Sequence, residues 1–190
     1  MAERELILGG QRSGKSRRAE QRAADWLAAS PTHKAVLIAT AEARDEEMHE
    51  RVARHQADRA ARVPRLVTVE EPLALSTAIR THSAPDTLVL VDCLTLWLTN
   101  LLMPAGIKRT MPEIPVQRAQ PSMFLIAEIR EARGPLVLVG NEIGLGVIPM
   151  GREVRAFVDA LGRLNQDVAA ACDRVTLMVA GLPLTLKERA

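Results

Sequence analysis

Tyrosine is absent from this chain, and aromatic residues make up only 2% of it, as two phenylalanines and two tryptophans. Proteins that grip single-stranded nucleic acid stack bases on exposed rings, and this chain has few rings to offer. Trp26 and Trp97 are better read as helix packing. Charge points the same way. The 25 basic and 23 acidic residues leave a net charge of +2, without the basic excess that a phosphate backbone demands. Nucleic acid is therefore not an expected partner. Cys93 and Cys172 lie far apart and lack metal-ligand spacing, so they read as buried small hydrophobes. No apolar run reaches the roughly 18 residues of a membrane span. Glu3, Arg4 and Glu5 directly precede the first apolar run, unlike a cleavable signal. The expected location is the cytoplasm.

What the chain does have is aliphatic bulk: 47% of its 190 residues are hydrophobic, enough for a single domain over residues 1–190. Apolar runs at Glu5–Leu8, Ala35–Ala39, Leu66–Val69, Leu88–Asp92, Leu136–Gly140 and Val175–Val179 predict strands. Helical patterns at 15–29, 44–60, 73–81, after Asp92 through about residue 102, 122–133 and 151–172 alternate with them. Leu182–Leu186 reads as a terminal hairpin arm or edge strand. Residues 103–121 hold Pro104, Pro112, Pro115 and Pro121 and predict a long loop. Apolar strands alternating with helices predict an α/β fold, a mostly parallel sheet covered on both faces.

The first strand ends in Gly9-Gly10-Gln11-Arg12-Ser13-Gly14-Lys15-Ser16, which fits G-x-x-x-x-G-K-[ST]. Strand before and helix after give the pattern its physical meaning. Backbone N–H groups of such a loop cradle phosphate oxygens at the positive end of the helix dipole. Gly9 and Gly14 permit turns that a Cβ would obstruct. Lys15, read as a solvated loop lysine, reaches the β- and γ-phosphates. Ser16 offers a hydroxyl to Mg²⁺. A phosphate-loop site also needs a carboxylate at a strand end to hold the metal. Asp92 fits that role; the alternative is a helix N-cap, and the loop-and-strand pair favours the metal.

Asp45–Arg59 is too charged for a core helix. It fits a solvated helix with i,i+4 pairs such as Glu47–Arg51 and Glu50–Arg54. It also follows the second strand, at the edge where open α/β sheets bind ligands. His49 and His55 lie about 120° apart around a helix, so they cannot share a face. His55, flanked by Arg51, Arg54 and Arg59, could attack a phosphorus whose charge the arginines stabilise. His33 and His82 read as surface residues. Glu70 ends the third strand at the same edge. The residues alone leave room for an ordinary phosphate-loop kinase or NTPase, or for a nucleotide-binding module without turnover.

Taken together, these segments resemble the bifunctional adenosylcobinamide kinase / adenosylcobinamide-phosphate guanylyltransferase family of cobalamin biosynthesis. The resemblance rests on Gly9–Ser16, Ile38-Ala39-Thr40, the Asp45–Arg59 helix and Asp92-Cys93-Leu94-Thr95-Leu96-Trp97-Leu98-Thr99-Asn100. It rests also on Asn141-Glu142-Ile143-Gly144, Gly162-Arg163-Leu164-Asn165-Gln166 and Ala180-Gly181-Leu182-Pro183-Leu184. Departures fall at Gln11, the 103–122 loop, Met150-Gly151 and Val158, none of them at Lys15 or His55. The resemblance implies a RecA-like phosphate-loop fold, a trimer, and two reactions. One phosphorylates adenosylcobinamide. The other moves GMP from GTP onto the resulting phosphate. It places the GMP–histidine intermediate on His55, with Lys15 as the other catalytic residue. It assigns the guanine nucleotide to Gly9, Gly10, Gln11, Arg12, Ser13, Gly14, Lys15, Ser16, Ala39, Thr40, Ala41, Gln56, Ala57, Asp58, Arg59, Glu70 and Asp92. Mg²⁺ falls to Ser16 and Asp92. GTP, with ATP as an alternative phosphoryl donor, is the implied nucleotide substrate.

Overall fold

The computed structural model describes residues 3–42, 46–103, 121–147 and 149–188, without the side chains of residues 47–49, 51, 55 and 121. The expected 103–121 loop thus falls almost wholly outside the described residues. In chain order the elements are β1 (Arg4–Gly9), α1 (Lys15–Ala29), β2 (Lys34–Ala39), α2 (Glu46–Arg62), β3 (Leu66–Glu70), α3 (Leu75–His82) and β4 (Thr87–Asp92). They continue as α4 (Leu94–Leu102), α5 (Pro121–Glu131), β5 (Leu136–Val139), α6 (Arg152–Ala171), β6 (Arg174–Val179) and β7 (Leu182–Glu188).

The strands form one seven-stranded sheet in the order β3-β2-β4-β5-β1-β6-β7. All pairs are parallel except β6–β7. The expected mostly parallel α/β fold is the one observed, and the last strand is both a hairpin arm and an edge. Its turn uses Ala180 at φ 53 and Gly181 at φ 81, the left-handed pair that a tight hairpin prefers.

Alternating side chains divide the core into two layers. Leu6, Leu8, Val89, Val91, Leu136 and Leu138 face the layer built with α3, α4, α5 and α6. Ile7, Leu88, Leu90, Val137 and Val139 face the layer built with α1. There, Ala19, Ala23 and Leu27 recur at helical spacing, and the small alanines let α1 lie close to the sheet. Coverage on both faces holds for the central strands but not at the edges. Val67 on β3 is 60% exposed, and every residue of β7 is exposed. An edge strand has no neighbour on one side, so its apolar side chains lose cover there.

Trp97 is buried and donates its indole N–H to Leu73 O at 2.9 Å, as packing predicts. His33 corrects its reading as a plain surface residue. Its ring stacks on Trp26 at 3.7 Å, and its Nδ1 lies 2.8 Å from Trp26 O. Both thiols are buried, and burial pushes Cys93 up to about 11 and Cys172 up to about 12, so both are neutral at physiological pH.

Candidate active site

The parallel register aligns a row of strand ends at the carboxyl edge. Ala39 pairs with Glu70 on one side and Asp92 on the other. Asp92 pairs with Val139, and Val139 with Ile7, just before the loop at Gly9. Ala39, Glu70, Asp92 and the phosphate loop are therefore brought to one edge, where open α/β sheets take ligands.

The loop has the glycine requirements its sequence implies. Gly9 adopts φ 154, and a Cβ there would meet Met178 O and Ser13 Oγ at 2.6 Å. Gly14 adopts φ 100 and stands as the N-cap of α1 without a side-chain cap, which leaves the helix's first N–H groups facing the loop. The β6–β7 turn braces it, with Gly181 N donating to Ser13 O at 3.1 Å. Gly10, Gln11 and Arg12 are exposed, Arg12 at φ 55, and Ser16 is half-buried.

Lys15 corrects its description as solvated. It opens α1, is only 8% exposed, and donates from Nζ to Gly10 O at 2.6 Å. Burial pushes its amine below the ordinary lysine value, and the nearby Asp92 carboxylate opposes that fall. A buried cation beside a loop of inward N–H groups is arranged for an anion.

Asp92 does not cap a helix. The N-cap of α4 is Cys93, one residue later, after a cis Asp92–Cys93 peptide. Its half-buried carboxylate and the Ser16 hydroxyl are hard oxygen donors of the kind Mg²⁺ prefers, while groups of three or more His, Cys, Asp or Glu fit for a metal are absent among the described residues.

Thr40 sits differently from the other nucleotide candidates. Its side chain is wholly buried. The hydroxyl donates to Cys93 O at 2.7 Å and accepts from Cys93 N at 2.9 Å. Its own N–H donates to Asp92 O at 3.1 Å, and its carbonyl accepts from Asn100 Nδ2 at 2.8 Å. Thr40 thus fixes the backbone that carries Asp92.

Of the α2 candidates, Gln56, Ala57 and Asp58 are exposed. Gln56 Nε2 donates to Glu70 Oε1 at 3.3 Å, joining two predicted site residues across α2 and β3. Arg59 is tied inward, with Nη1 donating to Thr68 Oγ1 at 3.2 Å and Nε 3.8 Å from the buried Glu20 carboxylate on α1. Arg62 Nε reaches the same carboxylate at 2.7 Å. Ala41 follows β2 and is half-buried. The side chains of His55 and His49 lie outside the described residues, as do both partners of the Glu47–Arg51 pair. The α2 backbone carries both histidines.

A profile described as "Cobinamide kinase / cobinamide phosphate guanyltransferase" matches residues 5–186. The chain belongs to that family. The pair of activities in the family's name, kinase and guanylyltransferase, is the activity of this chain. It is similar to the bifunctional adenosylcobalamin biosynthesis protein CobP of Pseudomonas aeruginosa, at 47% identity over 97% of each chain. It is also similar to the bifunctional adenosylcobalamin biosynthesis protein CobU of Salmonella typhimurium, at 36% identity over 96% of this chain and 98% of that one. Among solved structures, it shares its fold with the flagellar accessory protein FlaH of Methanocaldococcus jannaschii, at TM-score 0.50 and 9% identity over 98% of this chain and 79% of that one.

The structure also gives roles to family segments for which the sequence offered none. Asn100 donates to Pro72 O at 3.2 Å as well as to Thr40. Thr95 Oγ1 accepts from Asn141 N at 2.9 Å, and Asn165 Nδ2 donates to Asn141 O at 3.1 Å and Glu142 Oε2 at 3.3 Å. Asn100 and Asn165 are buried. A polar residue on an otherwise apolar helix face was the available signal, since burial of an amide requires partners.

Proposed function

We propose that the chain, as one domain, phosphorylates the aminopropanol hydroxyl of adenosylcobinamide and transfers GMP from GTP to the product through His55, giving adenosylcobinamide-GDP. The observation that carries this reading is the convergence of Lys15, Asp92 and the phosphate loop on one sheet edge, beside the β3 end where Glu70 meets Gln56 of the histidine-bearing helix. Gly9–Ser16 and Lys15 hold the triphosphate of GTP, or of ATP in the phosphoryl step. Ala39, Ala41 and Glu70 border the nucleotide, with Gln56, Ala57, Asp58 and Arg59 on α2. Thr40 serves from behind, through the Asp92–Cys93 backbone. Ser16 and Asp92 would hold Mg²⁺, which supplies charge neutralisation at the β- and γ-phosphates.

In guanylyl transfer, neutral His55 attacks the α-phosphorus. A P–N bond forms, and the bond to pyrophosphate breaks. An oxygen of the corrinoid phosphate then attacks the same phosphorus, and the imidazole leaves. Dividing the transfer into two displacements avoids direct attack by a weak anionic nucleophile on an anionic centre. The protein works in the cytoplasm as a homo-oligomer, a trimer by family likeness. The uncovered Leu182, Leu184 and Leu186 of β7, all more than half exposed, support association.

The test is incubation with cobinamide, GTP and Mg²⁺, followed by mass spectrometry of the corrinoid. The expected products are cobinamide phosphate and then cobinamide-GDP with release of pyrophosphate. Cobinamide phosphate alone would reduce the protein to a kinase. Light scattering that returns a monomer would remove the oligomer from the proposal.

A further inference from the structure

The Asn141-Glu142 pair has no assigned chemistry, yet its placement is specific. Strand β5 lies between β4, which ends in Asp92, and β1, which runs into the phosphate loop. Past its last residue the β5 chain keeps following β1. Gly140 N donates to Ile7 O at 3.0 Å, and Glu142 N donates to Gly9 O at 3.1 Å. Glu142 is therefore bonded to the first glycine of the loop. The residue, half-buried, follows the strand that lies between the one ending in Asp92 and the one running into the phosphate loop.

The Glu142 carboxylate is oriented from both sides. Oε1 accepts from Gly144 N at 3.1 Å, and Oε2 accepts from Asn165 Nδ2 at 3.3 Å. Asn165, on α6, is 4% exposed and also holds Asn141 O, while Thr95 of α4 holds Asn141 N. An ionised carboxylate has about four lone-pair sites. Two are used for orientation, and the rest remain for a ligand. A braced, half-buried carboxylate beside a phosphate loop brings negative charge next to bound phosphates, which binding alone would not favour. A proton acceptor in phosphoryl transfer gives that charge a use.

We infer that Glu142 is the general base of the kinase step and takes no part in guanylyl transfer; the inference rests on the two-reaction reading above. The substrate hydroxyl gives its proton to the Glu142 carboxylate as its oxygen bonds to the γ-phosphorus. The bond from that phosphorus to the β-phosphate oxygen breaks, and the nucleoside diphosphate leaves. Attack by imidazole on the α-phosphorus needs no such acceptor, because a neutral ring nitrogen attacks through its lone pair. Asn165 and Thr95 act as positioning residues for this carboxylate.

The experiment compares wild type with Glu142→Gln, which keeps the side-chain shape and the acceptor toward Gly144. Three quantities are read: the rate of cobinamide phosphorylation, GMP labelling of the protein by GTP, and the KM for the triphosphate. The expected result is a fall in phosphorylation kcat of about 10² to 10³-fold, with unchanged KM and unchanged labelling. Glu142→Asp should recover part of the rate. Unchanged phosphorylation in Glu142→Gln overturns the inference and leaves the two-reaction reading standing. Equal loss of both reactions, or a raised KM alone, makes Glu142 a brace of the phosphate loop and also overturns it. A wild-type protein that labels with GMP but never phosphorylates cobinamide defeats the kinase reading itself, and the base with it.

Discussion

At the carboxyl edge of the central strands, Thr40, Thr95, Asn100 and Asn165 are each less than a tenth exposed and hold the backbone of Cys93, Asn141, Thr40 and Asn141 in turn by hydrogen bonds. Helix α2 is supported differently. Its described side chains are half-buried or exposed. It reaches the body through Arg59 and Arg62 on Glu20, through Arg59 on Thr68, and through Gln56 on Glu70. The edge is a packed network in which an unmade bond leaves a buried polar group unpaired, at about 1–3 kcal/mol each. Apart from the inward Arg59–Glu20 contact at 3.8 Å, the helix is held by pairs with a solvated partner, where a single pair contributes about 1 kcal/mol or less. The proposed phosphate site is built into the sheet. The helix proposed to carry the nucleophile is attached to it.

If that contrast is right, substitutions at the edge and on the tether should separate. The largest effect is expected for Lys15→Ala, with both reactions falling by about 10³-fold, as for loss of a preorganised charge. The fold should tolerate it. Burial holds the Lys15 amine below its ordinary value, so the unfolded chain binds that proton more tightly, and native stability gains as pH rises through the lowered value. Lys15→Met should accordingly melt no lower than wild type at neutral pH, which calorimetry can check.

Asp92→Asn comes next. Both Mg²⁺-dependent rates should drop by about 10²-fold, and the Mg²⁺ concentration for half-maximal GTP binding should rise. An unaltered metal dependence would remove Asp92 from the metal.

Thr40→Val sharpens the comparison at lower amplitude. It keeps the shape but unpairs Cys93 N–H and C=O, so chemical denaturation should show a loss of about 2 kcal/mol. Thr40→Ser should restore most of it. Equal losses in the two variants would mean that packing, not the hydroxyl, matters there.

The smallest effect is expected on the tether. Glu20→Gln weakens both arginine pairs, so GMP labelling should slow several-fold while phosphorylation stays near wild type. An equal fall in both would erase the distinction between edge and helix.

The sequence displayed the frame of this molecule and little of its bracing. Hydrophobic periodicity marked β1, β2, β4 and β5 because buried parallel strands are continuously apolar, and α1 begins at Lys15 as the loop pattern implied. Strand β3 was legible, but its exposure was not, since edge position depends on strand order rather than composition. Lys15 looked solvated because the pattern says nothing of the Gly10 carbonyl that receives it. Thr40 was visible as a site residue, yet its partner Cys93 lies 53 positions away, a separation that no local pattern reports. The same distance concealed the roles of Asn100, Asn165 and Glu142. Arg59 looked free to meet a ligand because Glu20 belongs to another helix.

The separation between a sheet-built phosphate site and a tethered nucleophile is tested most directly with His55→Ala. Wild type and variant are incubated with GTP and Mg²⁺ and weighed by intact-mass spectrometry, and each is assayed for phosphorylation of cobinamide. The account predicts that wild type gains one GMP, that His55→Ala gains none, that His49→Ala labels normally, and that His55→Ala still phosphorylates cobinamide. A GMP adduct that persists in His55→Ala, or phosphorylation that disappears together with the label, would contradict it.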